Sequence, residues 1–163
     1  MTPSPSLRSA SRIALLLGAI AVMTACSGAK RDDSGRIVDD GDLDVFTMQI
    51  GDCFQDIGDE AAEVANVSAV PCGQAHDNEV FYIFALSGDT WPGEESVEKS
   101  ASEGCLPAFE TYVGAAYEES HLDYSWLTPT QRSWKEKDDR EIVCVLFDGN
   151  FDRLTGSMKG KAE

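Results

Sequence analysis

The sequence predicts an α+β domain, in which a mainly antiparallel β-sheet carries one main helix packed on a face and is held by two disulfides. Two uninterrupted apolar runs, 79–86 and 141–147, are typical of central strands. Between them lies the one long stretch with helical periodicity, 94–113. Because strands and helices do not alternate regularly, this order favours α+β over a parallel α/β fold.

Two further strands are predicted before the first central strand. Phe46, Met48 and Ile50 alternate with Val45, Thr47 and Gln49, which predicts a strand over 45–50. A second strand is predicted over 64–70 and is stopped by Pro71.

The helix predicted over 94–113 presents one apolar face. Acidic Glu94 and Glu95 suit its N-terminus, and Gly114 suits the position after its last residue. Pro107 lies inside the pattern and predicts a kink or a break. The apolar residues recur at steps of three and four: Val97, Ala101, Cys105, Ala108, Phe109, Tyr112 and Val113.

After the helix, a short helical turn is predicted within 115–121. Segments 122–127 and 131–135 are predicted to be extended, on either side of Thr128-Pro129-Thr130. The last central strand, 141–147, is followed by a turn at 148–150.

The first 26 residues have the features of an export signal. Arg8 and Arg12 precede the eleven-residue apolar run 13–23, which is too short to span a bilayer. Met23-Thr24-Ala25-Cys26 then resembles a bacterial lipobox, whose cysteine is acylated and becomes the first residue of the mature chain. We therefore expect a signal peptide over 1–25 and a lipid anchor at Cys26. The alternative is an ordinary signal peptide cut nearby.

Segment 26–44 is rich in Asp, Gly and Ser, which predicts a flexible acidic tether before a domain spanning 45–158 and a tail over 159–163. The whole chain has a net charge of −16, and no acidic residue precedes Asp32. Such a surface repels phosphate backbones, which argues against nucleic-acid binding. It suits either an acidic surface that is simply solvated or a surface that meets basic partners or cations.

Five cysteines leave four to pair once Cys26 carries the lipid. Of the three pairings that four cysteines allow, we favour Cys53–Cys72 and Cys105–Cys144. The first joins the end of the first strand to the entry of a central strand, and the second joins the helix to the last strand. No two of these cysteines have the short spacing of zinc ligands, so no metal or cofactor is predicted.

The candidate site residues are a polar run and three tryptophans. His76, Asp77, Asn78 and Glu79 precede a central strand, where they suit an exposed polar turn. His76-Asp77 also matches a metal dyad, but no other histidine-rich set accompanies it. Trp91, Trp126 and Trp134 suit either a ligand groove or the core and its rim. We expect Arg140 to pair with a nearby carboxylate.

Several motifs together resemble the septum formation domain of actinobacterial envelope proteins. The resemblance covers about residues 45–157 and departs at Asp138, where the family often has glycine. It is carried by Gly51-Asp52-Cys53-Phe54, Val70-Pro71-Cys72, the run from Ala75 to Phe81, Cys105, Phe109, Tyr112-Val113-Gly114, Tyr117, Pro129-Thr130, Trp134, Asp139-Arg140 and Cys144.

The resemblance implies an exported, membrane-tethered protein linked to cell division, without established catalysis. We therefore expect a monomeric, non-catalytic binding module on the outer face of the cytoplasmic membrane, with a cell-wall or divisome partner. His76, Asp77, Asn78, Glu79, Trp134 and Arg140 are the candidate contact residues. The alternatives are an envelope hydrolase that uses His76 with Asp77 or Glu79, and an assembly chaperone.

Overall fold

The computed structural model describes residues 28–57 and 63–162. It confirms the predicted class, because a six-stranded antiparallel sheet carries the main helix on one face. The predicted signal peptide and Cys26 lie outside the described residues.

The described chain forms these elements in order: β1 (Lys30–Arg31), β2 (Ile37–Asp39), β3 (Gly41–Asp44), β4 (Cys53–Phe54), β5 (Asn66–Val70), β6 (Ala75–His76), β7 (Asn78–Ala85), α1 (Glu94–Val113), β8 (Leu122–Leu127), α2 (Gln131–Glu136), β9 (Glu141–Asp148) and β10 (Leu154–Thr155). The strand order of the main sheet is β3-β5-β4-β7-β9-β8, so the predicted central strands β7 and β9 are internal. β1 pairs with β2, and β6 pairs with β10.

Helix α1 covers one face of the sheet. It begins and ends at the predicted residues and remains a single helix through Pro107. Its apolar stripe packs on Phe81, Ile142 and Leu146. Gly104 permits the close approach of Phe84, since a Cβ at this position would lie 2.5 Å from the ring.

Both predicted disulfides, Cys53–Cys72 and Cys105–Cys144, are confirmed. The second joins α1 to β9, as its place on the apolar stripe of the helix indicated. Closing loops of 19 and 39 residues removes conformational freedom from the unfolded chain, which stabilises the fold by roughly 3 and roughly 4 kcal/mol.

A β-bulge in β7 explains why its apolar residues do not alternate. Val80 faces Val145, and the next paired residue is Tyr82, which faces Cys144. The intervening Phe81 has no partner on β9 and packs under α1. Val80, Val143 and Val145 point to the opposite face, where they form a second cluster with Ile37, Leu43, Met48, Phe54, Val67 and Ala69.

The prediction of a flexible tether over 26–44 is wrong for its described part. Residues 30–44 contribute β1, β2 and β3, and β3 is an edge strand of the main sheet. Ile37 and Leu43 are buried in the second cluster. Two apolar side chains at separated positions thus anchor a stretch whose composition is typical of disorder.

The prediction of a strand over 45–50 is also wrong. Asp44 accepts the backbone N–H of Phe46, and a 3₁₀ turn forms over Val45–Thr47. The carboxylate of Asp52 then accepts the N–H of Gln49. These side-chain acceptors replace the ladder bonds that a strand would need.

Segment 131–135 is helical rather than extended, because Thr130 and Ser133 form a capping box that starts α2. The predicted turn over 115–121 is present as a 3₁₀ turn, Tyr117–Glu119. Asp138 has a φ of 55°, which is the left-handed backbone that glycine adopts most easily. The glycine that the resemblance implies at this position would fit this backbone without strain.

Candidate functional site

The polar run predicted as an exposed turn is mostly internal. His76 and Glu79 have no exposed surface, Asn78 is buried and Asp77 is half-buried. His76 is fixed by the pairing of β6 with β10, and Glu79 lies on β7 opposite Leu146. The run therefore belongs to the interior of the domain.

Glu79 is a buried carboxylate held by three donors. Its Oε1 accepts the hydroxyls of Tyr112 at 2.8 Å and Ser157 at 2.5 Å, and its Oε2 accepts the N–H of Met158 at 2.7 Å. Burial, and next the charge of Glu79, raise the pKa of Tyr112 well above its ordinary value. This cluster ties the C-terminal segment to α1 and β7.

His76 lies beside this carboxylate and the first disulfide. Its Nδ1 is 2.9 Å from the carbonyl oxygen of Gln74, and its buried Nε2 has no hydrogen-bond partner within the described chain. Donor atoms of Cys53, His76 and Glu79 lie within 4.8 Å of one another. A metal would need the Cys53 thiolate, and that sulfur is bonded to Cys72.

Asp77 and Asn78 make local contacts on either side of the buried run. Asp77 accepts the N–H of Asp56 at 2.9 Å and pairs with Arg153 at 3.2 Å. The amide of Asn78 donates to the carboxylate of Asp56 at 3.2 Å. These bonds join the ends of β4, β7 and the C-terminal segment.

Trp134 is buried, and the Arg140 side chain that packs on it is largely shielded from solvent. The Trp134 side chain is 2% exposed, and its indole N–H donates to the carbonyl of Asp89 at 3.2 Å. The Arg140 guanidinium lies 3.8 Å from the Trp134 ring centroid and pairs with Asp138 at 2.9 Å. Arg140 therefore pairs with a carboxylate as expected, and the edge of Trp91 packs on Trp134.

An open groove of about 640 Å³ lies next to the Trp134–Arg140 pair. Its volume is within the range of small-ligand and peptide sites. Trp91, Trp126 and Phe46 provide its aromatic surface, and Val64, Leu127 and Val143 provide aliphatic surface. Neither Trp134 nor Arg140 lines it.

Four separate segments build the groove. Val45 and Phe46 follow β3, and 63–65 precede β5. Trp91 stands just before α1, which begins after Gly93 with a φ of 93°. Trp126 projects from β8, and its indole N–H donates to Glu98 of α1 at 2.8 Å.

Carboxylates outnumber cations along the groove. The described lining residues include two basic side chains. Arg132 pairs with Glu63, and the Lys137 ammonium lies 4.0 Å from the centroid of the Phe46 ring. Both positive charges are thus engaged. The groove is lined by the acids Glu63, Glu94, Glu98, Glu136, Asp139 and Glu141.

Sequence analysis left Trp91 and Trp126 open between a ligand groove and the core, took Trp134 as the contact candidate, and missed the charged walls of the groove. Arg31 was also missed, although it holds Asp52, a residue that is 2% exposed, through two hydrogen bonds of 2.5 and 2.7 Å. The Thr130-x-x-Ser133 spacing is a signal that could have placed α2 at the groove. No local signal pairs Arg31 with Asp52.

Comparison with known proteins gives a family and two relatives. Two mycobacterial proteins, from Mycobacterium tuberculosis (strain ATCC 25618 / H37Rv) and Mycobacterium bovis (strain ATCC BAA-935 / AF2122/97), carry the name "Putative lipoprotein LppN". Each is 25% identical over 116 residues, which cover 70% of this chain and 63% of the relative. The match thus spans less than two thirds of those proteins. No solved structure matches.

No helix within residues 28–57 and 63–162 has the length and apolar character needed to cross a membrane.

The family described as "Septum formation" matches residues 21–144, a range that begins before the N-terminal strands and ends at Cys144. Since this match covers well over half of the chain, the protein belongs to the septum formation family.

Proposed function

We propose that this protein is a lipoprotein anchored through Cys26 to the outer face of the cytoplasmic membrane, where it acts as a non-catalytic binding module in cell division or envelope assembly. Family membership and the printed name of the two relatives support an exported lipoprotein. The charged, apolar and small residues from Arg8 to Cys26 support the site of acylation.

The groove is the binding surface, and its ligand is a basic segment of an envelope protein. The groove carries a surplus of carboxylates whose neighbouring cations are already engaged. A lysine or arginine side chain would meet the acids at the walls and the faces of Trp91 and Trp126. This charged groove with two tryptophans is the observation that carries the proposal.

The interior position of the polar run favours binding over hydrolysis. His76 and Glu79 have no exposed surface, and both oxygens of Glu79 already accept hydrogen bonds. A general base must reach the proton that it abstracts. These side chains would meet a substrate only after the β6–β10 pair opened.

Photo-crosslinking in dividing cells tests the groove. A photoreactive amino acid at Gln131, an exposed groove residue, should form an adduct with an exported protein. The same label at Ser102, an exposed residue of α1 outside the groove, is the matched control. The double charge reversal Glu136→Lys and Glu141→Lys, at two exposed groove residues, should abolish the Gln131 adduct without changing the melting temperature.

Identical adducts from both positions, or an adduct that survives charge reversal, would exclude the groove as the binding surface. The anchor is tested separately by Cys26→Ser, which should release the protein or leave an uncleaved precursor. Unchanged membrane fractionation of this variant would contradict acylation at Cys26.

A further inference from the structure

The folded domain starts two residues after the proposed acylation site. Gly28 forms a bridge with Asp42 of β3, and the N–H of Ala29 donates to the carbonyl of Asp42 at 3.0 Å. A chain advances at most about 3.6 Å per residue, so the Cα atoms of Cys26 and Gly28 are within roughly 7 Å of each other. No room remains for a tether.

A partly buried ion pair between Arg31 and Asp52 holds this start in place. Besides its two bonds to Asp52, Arg31 donates to the carbonyls of Gly35 at 2.7 Å and Thr47 at 3.2 Å. Ile37 on β2 is buried in the second core cluster. Because release of the hairpin would leave the Asp52 carboxylate buried without its cation, β1 and β2 are unsuited to act as a spacer.

We propose that the N-terminal face of the domain, comprising residues 28–30, Val38, Asp40 and Asp42, lies directly against the lipid headgroups of the membrane. This inference rests on the proposed anchor at Cys26. The lipid surface is the partner, and the short connection from Cys26 to Gly28 selects which face meets it.

The acyl chains, rather than the side chains of this face, hold the domain at the membrane. Val38 is 48% exposed and provides a small apolar contact, and the exposed Lys30 is paired with Asp39. Asp40 and Asp42 are also exposed. Their charge does not attract anionic headgroups, so the face stays at the surface because the anchor holds it there.

This orientation also places one end of the groove near the membrane. Val45 is three residues beyond Asp42, a distance of about 10 Å along an extended chain. Together with the connection to Cys26, this places the Val45–Phe46 end of the groove within roughly 20 Å of the anchor. A segment that binds there must be available close to the membrane surface.

Energy transfer to the bilayer tests the orientation. The full-length acylated protein is reconstituted in phosphatidylcholine vesicles that contain an acceptor-labelled lipid, with a fluorescent amino acid at Val38 or at Ser102. α1 and the hairpin pack on opposite faces of the sheet, so these positions are about 20 Å apart across the stacked layers. Transfer should be greater from Val38 than from Ser102.

A flexible Gly-Ser spacer of about 20 residues between Ser27 and Gly28, with a mean reach of roughly 25 Å, should reduce transfer from Val38 to the level seen from Ser102. The same spacer appended after Glu163 should change nothing. Equal transfer from both positions that the spacer does not alter would overturn the inference and leave the anchor intact. A chain that lacks acyl groups and does not bind vesicles would overturn the anchor, and the inference with it.

Discussion

The two disulfides lie in halves of the core that have opposite chemistry. Around Cys105–Cys144, α1 packs on the sheet through aromatic and aliphatic side chains, among them Phe81 and Phe109. Around Cys53–Cys72, the interior holds Asp52 and Glu79, with the imidazole of His76 between strands. The first half is stabilised by burial of apolar surface, whereas the second depends on the donors that surround each buried carboxylate.

The two halves should lose stability for different reasons when a residue is substituted. Apolar packing is spread over many contacts, so the cost of a substitution depends on the volume removed. A buried carboxylate depends on a few defined donors, so the cost depends on which donor is lost. Four substitutions test this contrast, in order of decreasing expected effect.

Phe81→Ala should have the largest effect. This ring contacts Phe109, Tyr112 and Tyr124 and is 2% exposed, so its loss should lower the free energy of unfolding by about 3–5 kcal/mol. Urea denaturation measures the change. Phe151→Ala, at a ring that is 79% exposed, is the control and should cost less than about 0.5 kcal/mol. Equal losses of unfolding free energy in the two variants would show that the packing of Phe81 under α1 does not stabilise the fold more than an exposed ring does.

Arg31→Ala should cost about 3 kcal/mol, because it leaves the buried Asp52 carboxylate without its cation. The neighbouring Lys30→Ala removes an exposed pair with Asp39 and should cost less than about 1 kcal/mol. Chemical denaturation of both variants separates the two contributions. If Arg31→Ala were as mild as Lys30→Ala, the N-terminal hairpin would be a tether after all.

His76→Ala should cost about 2 kcal/mol, since it empties a fully buried site and removes the contact with the Gln74 carbonyl. Gln74→Ala, at an exposed neighbour that keeps this carbonyl, should cost less than about 0.5 kcal/mol. Thermal unfolding measures both. An unchanged melting temperature together with lost function in cells would favour the hydrolase instead.

Tyr112→Phe should show the smallest effect, as a change in pH dependence. Burial and Glu79 raise the pKa of Tyr112 in the folded state, so above about pH 10 the unfolded chain loses this proton first and stability falls as pH rises. One proton corresponds to about 1.4 kcal/mol per pH unit. The Phe variant should therefore lose stability less steeply. The pKa values of Tyr117 and Tyr124 are also raised and contribute equally to both proteins.

Unfolding free energies measured between neutral pH and pH 11 give these slopes. Parallel curves for the two proteins would mean that Tyr112 does not retain its proton in the folded state. At neutral pH the Phe variant should still be less stable by about 1 kcal/mol, because Glu79 loses one of its three donors.

Much of the fold could be predicted from local patterns. The 94–113 periodicity gave α1 to the residue, and the two apolar runs identified β7 and β9. The errors came where side chains replaced backbone pairing: Asp44 and Asp52 prevented a strand over 45–50, and the Thr130–Ser133 capping box started a helix in a segment predicted to be extended. Whether a strand, a turn or a helix forms in such a segment depends on individual side-chain hydrogen bonds. Residue propensities averaged over the segment do not include them.

The candidate site was less predictable. Trp91 and Trp126 were identified as groove residues or core, and only the structure separated them from Trp134, which is buried behind them. His76 and Glu79 were expected in an exposed turn and lie in the interior. The same polar residue types suit a surface or a satisfied core, so composition does not distinguish these outcomes.

The sequence by itself determined the class of fold and the main helix, and it favoured the cysteine pairing that the structure confirms, because each depends on spacing along the chain or on cysteine count. It also predicts an export signal, which lies outside the described residues. The tertiary structure decided that 30–44 are folded, that Glu79 is buried, and that a groove forms from four distant segments. Arg31 and Asp52 are 21 residues apart, and nothing local marks them as partners. Contacts of that kind exist only once the chain has closed on itself, since they depend on where the strands bring each side chain.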